Sequence, residues 1–123
     1  MTPEDLKKRT QQFGIDVIKM VRQFPKTIDA FEIGKQIIRS SCSVGANYRS
    51  SRRARSSAEF ISKLKVSEEE ADESIFWLEI IKAVDLDSKS VDGLLKEADE
   101  LTSILTSSGK TAKQNLEKRN AKK

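Results

Sequence analysis

Ser57-Ala58-Glu59-Phe60-Ile61-Ser62-Lys63-Leu64-Lys65-Val66-Ser67-Glu68-Glu69-Glu70-Ala71-Asp72-Glu73-Ser74-Ile75-Phe76-Trp77-Leu78 is the stretch on which the fold turns. At about 100° per residue, Phe60, Leu64, Ala71, Ile75 and Leu78 fall within an arc of roughly 60°, the mark of a helix with one apolar face. Phe76, Trp77, Ile80, Ile81 and Val84 widen that face in the second half. Glu59 in the first turn makes Ser57 the expected N-cap. Upstream, Thr27-Ile28-Asp29 opens a helix with Phe31, Ile37, Ile38, Val44 and Tyr48 as its stripe. It is predicted to reach about Arg55, with Gly45 a soft point inside it. Before that, Thr2 caps, Pro3 takes the first helical position and Asp5 completes a capping box. Leu6, Phe13, Val17, Met20, Val21 and Phe24 then keep a helical rhythm that Pro25 ends. Downstream, residues 85–90 break the chain, with Ser88 or Ser90 as cap. Leu94, Leu95, Ala98, Leu101, Ile104 and Leu105 form a fourth helix, expected to stop at Ser107-Ser108-Gly109. No segment alternates as a strand does. Four amphipathic helices with short connections predict an all-α, antiparallel up-down four-helix bundle over residues 1–108. Residues 109–123 read as a basic, flexible tail.

The 123 residues contain no His, one Cys and two Pro. Without His, the commonest general base and metal ligand is missing. The lone Cys42 excludes an intramolecular disulfide or a Cys-rich zinc site and fits a reducing compartment. Apolar runs are too short to span a membrane, and the N-terminus lacks the features of a secretory signal, so a cytoplasmic location is expected. The net charge of +4 hides a strong split. Residues 1–65 carry 14 basic and 6 acidic side chains, residues 66–108 carry 3 and 12, and residues 109–123 carry 6 and 1. The first half is basic, the second acidic, and the tail basic again, so whole-chain charge says little about partners.

The catalytic inventory is poor. Cys42 has no His to activate it, and it lies in the small-residue run Ser40–Ala46, which lets a neighbouring helix approach closely. The acids Glu68–Glu73 point in different directions on a helix and lack the His of carboxylate-bundle metal sites. They suit a solvated face or a partner for arginines. No phosphate loop, nucleophile elbow or zinc motif is present. No metal, no cofactor and no enzymatic activity are therefore expected.

The basic cluster says more. Arg49, Arg52 and Arg53 fall at i, i+3 and i+4, Arg55, Lys63 and Lys65 follow, and Tyr48 stands beside them to stack. Such a stripe can neutralise phosphates. It can equally be consumed by salt bridges within or between subunits. A hairpin about Ser56 brings Arg39 level with Glu73 and puts Arg49 two or three turns from Glu68–Glu70. Asn47 is read as fixing bundle register or a subunit contact, and Trp77 as core or interface packing.

The segments Cys42-Ser43-Val44-Gly45-Ala46-Asn47-Tyr48-Arg49, Arg53-Ala54-Arg55-Ser56, Glu59-Phe60-Ile61 and Glu68-Glu69-Glu70-Ala71-Asp72-Glu73-Ser74-Ile75-Phe76-Trp77-Leu78-Glu79 resemble one family closely. It is the four-helix bundle proteins encoded in intervening sequences of bacterial 23S ribosomal RNA genes, sometimes labelled S23 ribosomal proteins. Glu97–Leu101 and Lys110–Lys113 resemble its last helix and exit, so the likeness covers about residues 5–114. It implies a ring-shaped homopentamer and no established reaction. A related family, the accessory variability proteins of diversity-generating retroelements, shares the pentameric bundle and binds nucleic acid and a reverse transcriptase. By that fold-level analogy RNA, DNA or a reverse transcriptase become candidate partners. A helix pair rich in arginine beside one rich in acid also suits a head-to-tail interface that closes into a ring. The expected function is a non-enzymatic oligomeric scaffold that binds nucleic acid. Arg49, Arg52, Arg53, Arg55, Lys63, Lys65, Lys110 and Lys113 are the contacts, while Asn47, Tyr48, Glu69, Glu73 and Trp77 serve structure and assembly. The alternative is a purely structural, protein-binding oligomer whose arginines meet acids of neighbouring subunits.

Overall fold

The computed structural model describes residues 1–122 and contains four helices and no strand among them. They are α1 (Pro3–Val21), α2 (Ile28–Ser51), α3 (Ser57–Ala83) and α4 (Val91–Ala121). Each helix packs on its neighbours in the chain, and α1 closes more sparsely on α4. Among the described residues the backbones of diagonal helices do not approach closely, which is the arrangement of an up-down bundle. Phe13, Val17, Ile37, Val44, Leu64, Leu78, Ile81, Leu101 and Leu105 form the centre of one continuous core, each fully buried.

Local chemistry sets where each helix starts. The Thr2 hydroxyl accepts from the Asp5 amide while the Asp5 carboxylate accepts from the Thr2 amide, a complete capping box. Thr27 caps α2 through the Ala30 amide. The cap of α3 is Ser56, not Ser57, and its hydroxyl accepts from the Glu59 amide. The reason is the spacing of the motif, in which the acid stands three residues after the cap. At α4 neither Ser88 nor Ser90 caps through its side chain. Asp87 accepts instead from the Ser90 and Val91 amides, at 2.7 and 2.9 Å. Asp85, at φ 57°, takes the left-handed position after α3, and the Leu86 amide donates to the Ile81 carbonyl.

Two helix ends differ from the sequence reading. The helix expected to reach Arg55 stops at Ser51, where the Arg53 and Ala54 amides turn back three residues to the Ser50 and Ser51 carbonyls. Ser51 is buried and its hydroxyl donates to the Tyr48 carbonyl, satisfying part of the helix end. The helix expected to stop at Ser107-Ser108-Gly109 continues to Ala121, so residues 109–121 are helical. Gly109 costs a helix only about 1 kcal/mol. Packing outweighs that: Ala112 and Leu116 are half-buried, and Arg119 donates to the Ser57 hydroxyl at 3.1 Å.

Glycine and serine set the helix register. A Cβ on Gly45 would stand 3.2 Å from the Thr10 carbonyl carbon, and one on Gly14 would stand 3.3 Å from the Cys42 sulfur. The run Ser40–Ala46 therefore does let α1 lie close against α2. Between α2 and α3, buried Ser67 donates to the Val44 carbonyl at 2.7 Å and buried Ser74 to the Ser40 hydroxyl at 3.0 Å. No helix among the described residues is long and apolar enough to cross a membrane.

Candidate nucleic-acid interface

The helix register places the basic residues. Gly45 beside Thr10 and Gln11 brings the start of α1 next to the end of α2. Ser67 on Val44 sets α2 antiparallel to α3, and Thr106 donating to Glu68 sets α3 antiparallel to α4. The start of α1, the α2–α3 turn, the start of α3 and the end of α4 thus meet at one end of the bundle. Residues 1–9, 46–65 and 109–122, which build that end, carry fourteen basic and four acidic side chains. Two distant basic segments converge on it, and the acidic second half of the chain lies on the other part of the bundle.

The eight candidate contacts all belong to this end, but they do not form one helical face. Arg49 is exposed on the last turn of α2; Arg52 is the C-cap; Arg53 and Arg55 lie in the turn that follows. Their charges sit at the negative end of the α2 dipole, which stabilises them where they are. Arg52 lies over the Phe60 ring, 5.8 Å from its centroid. Among the described residues Arg49, Arg52, Arg53 and Arg55 form no ion pair, and neither do Lys63, Lys110 and Lys113. Lys65 reaches Glu68 at 3.6 Å, a weak exposed pair one turn away. Lys110 and Lys113 project from the α4 extension into solvent.

Intramolecular salt bridges are made by other arginines. Arg39 bridges Glu70 and Glu73 across α2 and α3, as the hairpin register predicts. The bond to Glu70 and the charge of Glu73 hold its guanidinium protonated more firmly still. Arg9, which the sequence reading did not single out, grips Glu97 through two bonds of 2.7 and 2.6 Å and reaches Glu100 at 2.9 Å. Its partner carboxylate lies on α4, so nothing in the local sequence marks it.

The assembly candidates divide. Asn47 donates to the Ser43 carbonyl of its own helix at 2.8 Å, so it links no second helix within the protomer. The register bonds come from Ser67 and Ser74, which the sequence reading passed over. Tyr48 is buried in the core, and that burial pushes its hydroxyl pKa up, with Arg52 acting against it. Glu69 is exposed and unpaired among the described residues, whereas Glu73 is taken by Arg39. Trp77 packs against the core with its indole N–H buried and without an acceptor among the described residues, and its ring meets Phe76 edge-on at 4.9 Å. Among the described residues no group of His, Cys, Asp and Glu is placed to hold a metal ion.

An all-helical, four-helix bundle with one strongly basic end is the class of protein these features define. The sequence matches the family described as 23S rRNA-intervening sequence protein over residues 4–107, and the chain belongs to that family. Its fold is similar to the crystal structure of a protein of unknown function from the S23 ribosomal protein family of Bacteroides thetaiotaomicron. The two share 28% identity at a TM-score of 0.82, covering 89% of this chain and 99% of that one. No relative matches among curated proteins.

Proposed function

We propose that this protein is a non-enzymatic, oligomeric bundle that binds RNA or DNA at its basic end. One observation carries the reading: Arg49, Arg53, Arg55, Lys110 and Lys113 converge on that end and pair with no acid among the described residues. Unpaired cations on an exposed surface displace the counterions of phosphates, and that release supplies affinity. The test is titration of a labelled RNA hairpin at several salt concentrations. Affinity is expected to fall linearly on a log–log plot. Replacing Arg49, Arg53, Lys110 and Lys113 by Ala is expected to flatten the slope by ~0.7–0.9 for each phosphate no longer neutralised. Absence of binding at low salt overturns the reading.

A second observation favours self-association. Ile28 is 91% and Phe31 72% exposed on α2, and Phe76 is 52% exposed on α3, so both helices carry apolar residues outside the core. Solvated apolar side chains on two helices suit contact with further copies of the chain, and the ring-shaped homopentamer belongs to this proposal. Repetition of the basic end around a ring multiplies a weak site by avidity. In the competing reading, Glu69 and its neighbours on one subunit consume the arginines of the next. Light scattering in low and high salt separates the two, because a ring held by such ion pairs dissociates as they are screened.

A further inference from the structure

The basic end carries a concave feature that arises from the unequal lengths of the helices. The bonds from Arg9 to Glu97 and Glu100 put Pro3 level with Ser103–Thr106 on α4. The bond from Thr106 to Glu68 carries that level across to α3. Residues 107–121 of α4 therefore run past the start of α1 by about 22 Å, at ~1.5 Å per residue. The first turns of α3 run past it alongside. Where α1 would continue, the overhang leaves a trough of about 630 Å3 between α3 and α4.

Three chemistries meet in it. Phe60, Ile61, Ala112 and Leu116 give a half-buried apolar floor. The Asn115 amide and the hydroxyls on the walls supply donors and acceptors. Two guanidinium groups flank the floor: Arg52 over the Phe60 ring, and Arg119 held by its bond to Ser57. Neither arginine has an acidic partner among the described residues. We infer that this trough receives an unpaired base of a single-stranded nucleic acid, with Arg52 and Arg119 on the flanking phosphates. The inference rests on the nucleic-acid reading above and narrows it from any phosphate backbone to an unstacked strand. A nucleobase supplies a flat face for the apolar floor beside the Phe60–Arg52 pair and an edge for the Asn115 amide, while its backbone supplies the anions the rims favour. A duplex keeps its bases stacked and paired, and must expel one to enter. A run of Asp and Glu matches the charge but offers no flat ring with a hydrogen-bonding edge.

Fluorescence anisotropy on the full chain tests this, with a labelled 15-residue oligouridine and a duplex RNA of equal length, both at low salt. The single strand is expected to bind about tenfold more tightly than the duplex, within the range that stacking of one base supplies. Ala112→Trp fills the trough, and Phe60→Leu removes the aromatic face while keeping an apolar side chain. Each is expected to abolish the preference by weakening the single strand about tenfold more than the duplex. Circular dichroism confirms that each variant is folded, and Asn115→Ala, at an exposed position, tests the same trough if a floor variant unfolds. Equal affinity for both nucleic acids, unchanged in all three variants, overturns the trough while the nucleic-acid reading stands. Loss of all binding at low salt overturns both. Displacement of the strand by polyglutamate from the wild type but not from Ala112→Trp assigns the trough to acidic peptides and overturns the inference.

Discussion

Single residues govern how closely the helices approach and where they stop. Any side chain on Gly45 must press on the backbone of Thr10 and Gln11, which cannot rotate away as a side-chain tip can. Gly45→Val is expected to lower stability by about 1–3 kcal/mol, read from the urea midpoint. Gly109 is the opposite case, because nothing lies within 4 Å of where its Cβ would be. Gly109→Ala is expected to raise stability by about 0.5–1 kcal/mol, since Ala suits a helix interior. An unchanged midpoint contradicts a helical segment at residues 109–121. Buried Ser67 is expected to cost about 1 kcal/mol as Ser67→Ala, the net worth of one hydrogen bond.

At the level of whole elements, the capping carboxylates tie the helices to pH. The backbone and hydroxyl of Thr2 pull the Asp5 pKa down, and the Thr27 hydroxyl does the same for Asp29. A depressed carboxylate pKa contributes stability that is complete above the unfolded value, near 4 for Asp, and is lost as pH falls through the folded value. Asp5→Asn is therefore expected to lower the neutral plateau of a pH–stability curve and to flatten its acid limb below about pH 4, so that the two proteins converge in acid. The helices themselves were legible from apolar spacing alone, because burial of a 3–4 stripe is what orders them. Their ends were less so. Ser56 and Ser57 are adjacent hydroxyls and only the three-residue distance to Glu59 tells them apart, while Gly109 looks like a stop until Leu116 and Arg119 are seen against α3. The candidate site was legible only residue by residue. Arg49 and Lys113 are 64 positions apart, and their placement at one end depends on buried Ser67, on Gly45 and on Thr106 bonding to Glu68, of which only Gly45, in its run of small residues, has a signature in the local sequence.

For the whole molecule, the bundle is polarised along its axis rather than around it. The acidic second half of the chain supplies Glu70, Glu73, Glu97 and Glu100, which pair with Arg39 and Arg9 across neighbouring helices. Cations at the opposite end of the bundle are left over from that use. Assembly adds a further expectation: Phe31→Asp and Phe76→Asp, each placing a charge on an exposed apolar surface, shift the light-scattering mass toward the monomer without lowering helicity. A mass unchanged in both variants removes these surfaces from the interface. Trp77 makes the same event visible without a label. It is the sole tryptophan of the chain, its indole N–H has no acceptor among the described residues, and it lies beside exposed Phe76. Its emission wavelength consequently reads the wetness of one spot on α3: a subunit closing over Phe76 dries it and moves the spectrum to the blue, unfolding moves it to the red, and both signals come from a single ring.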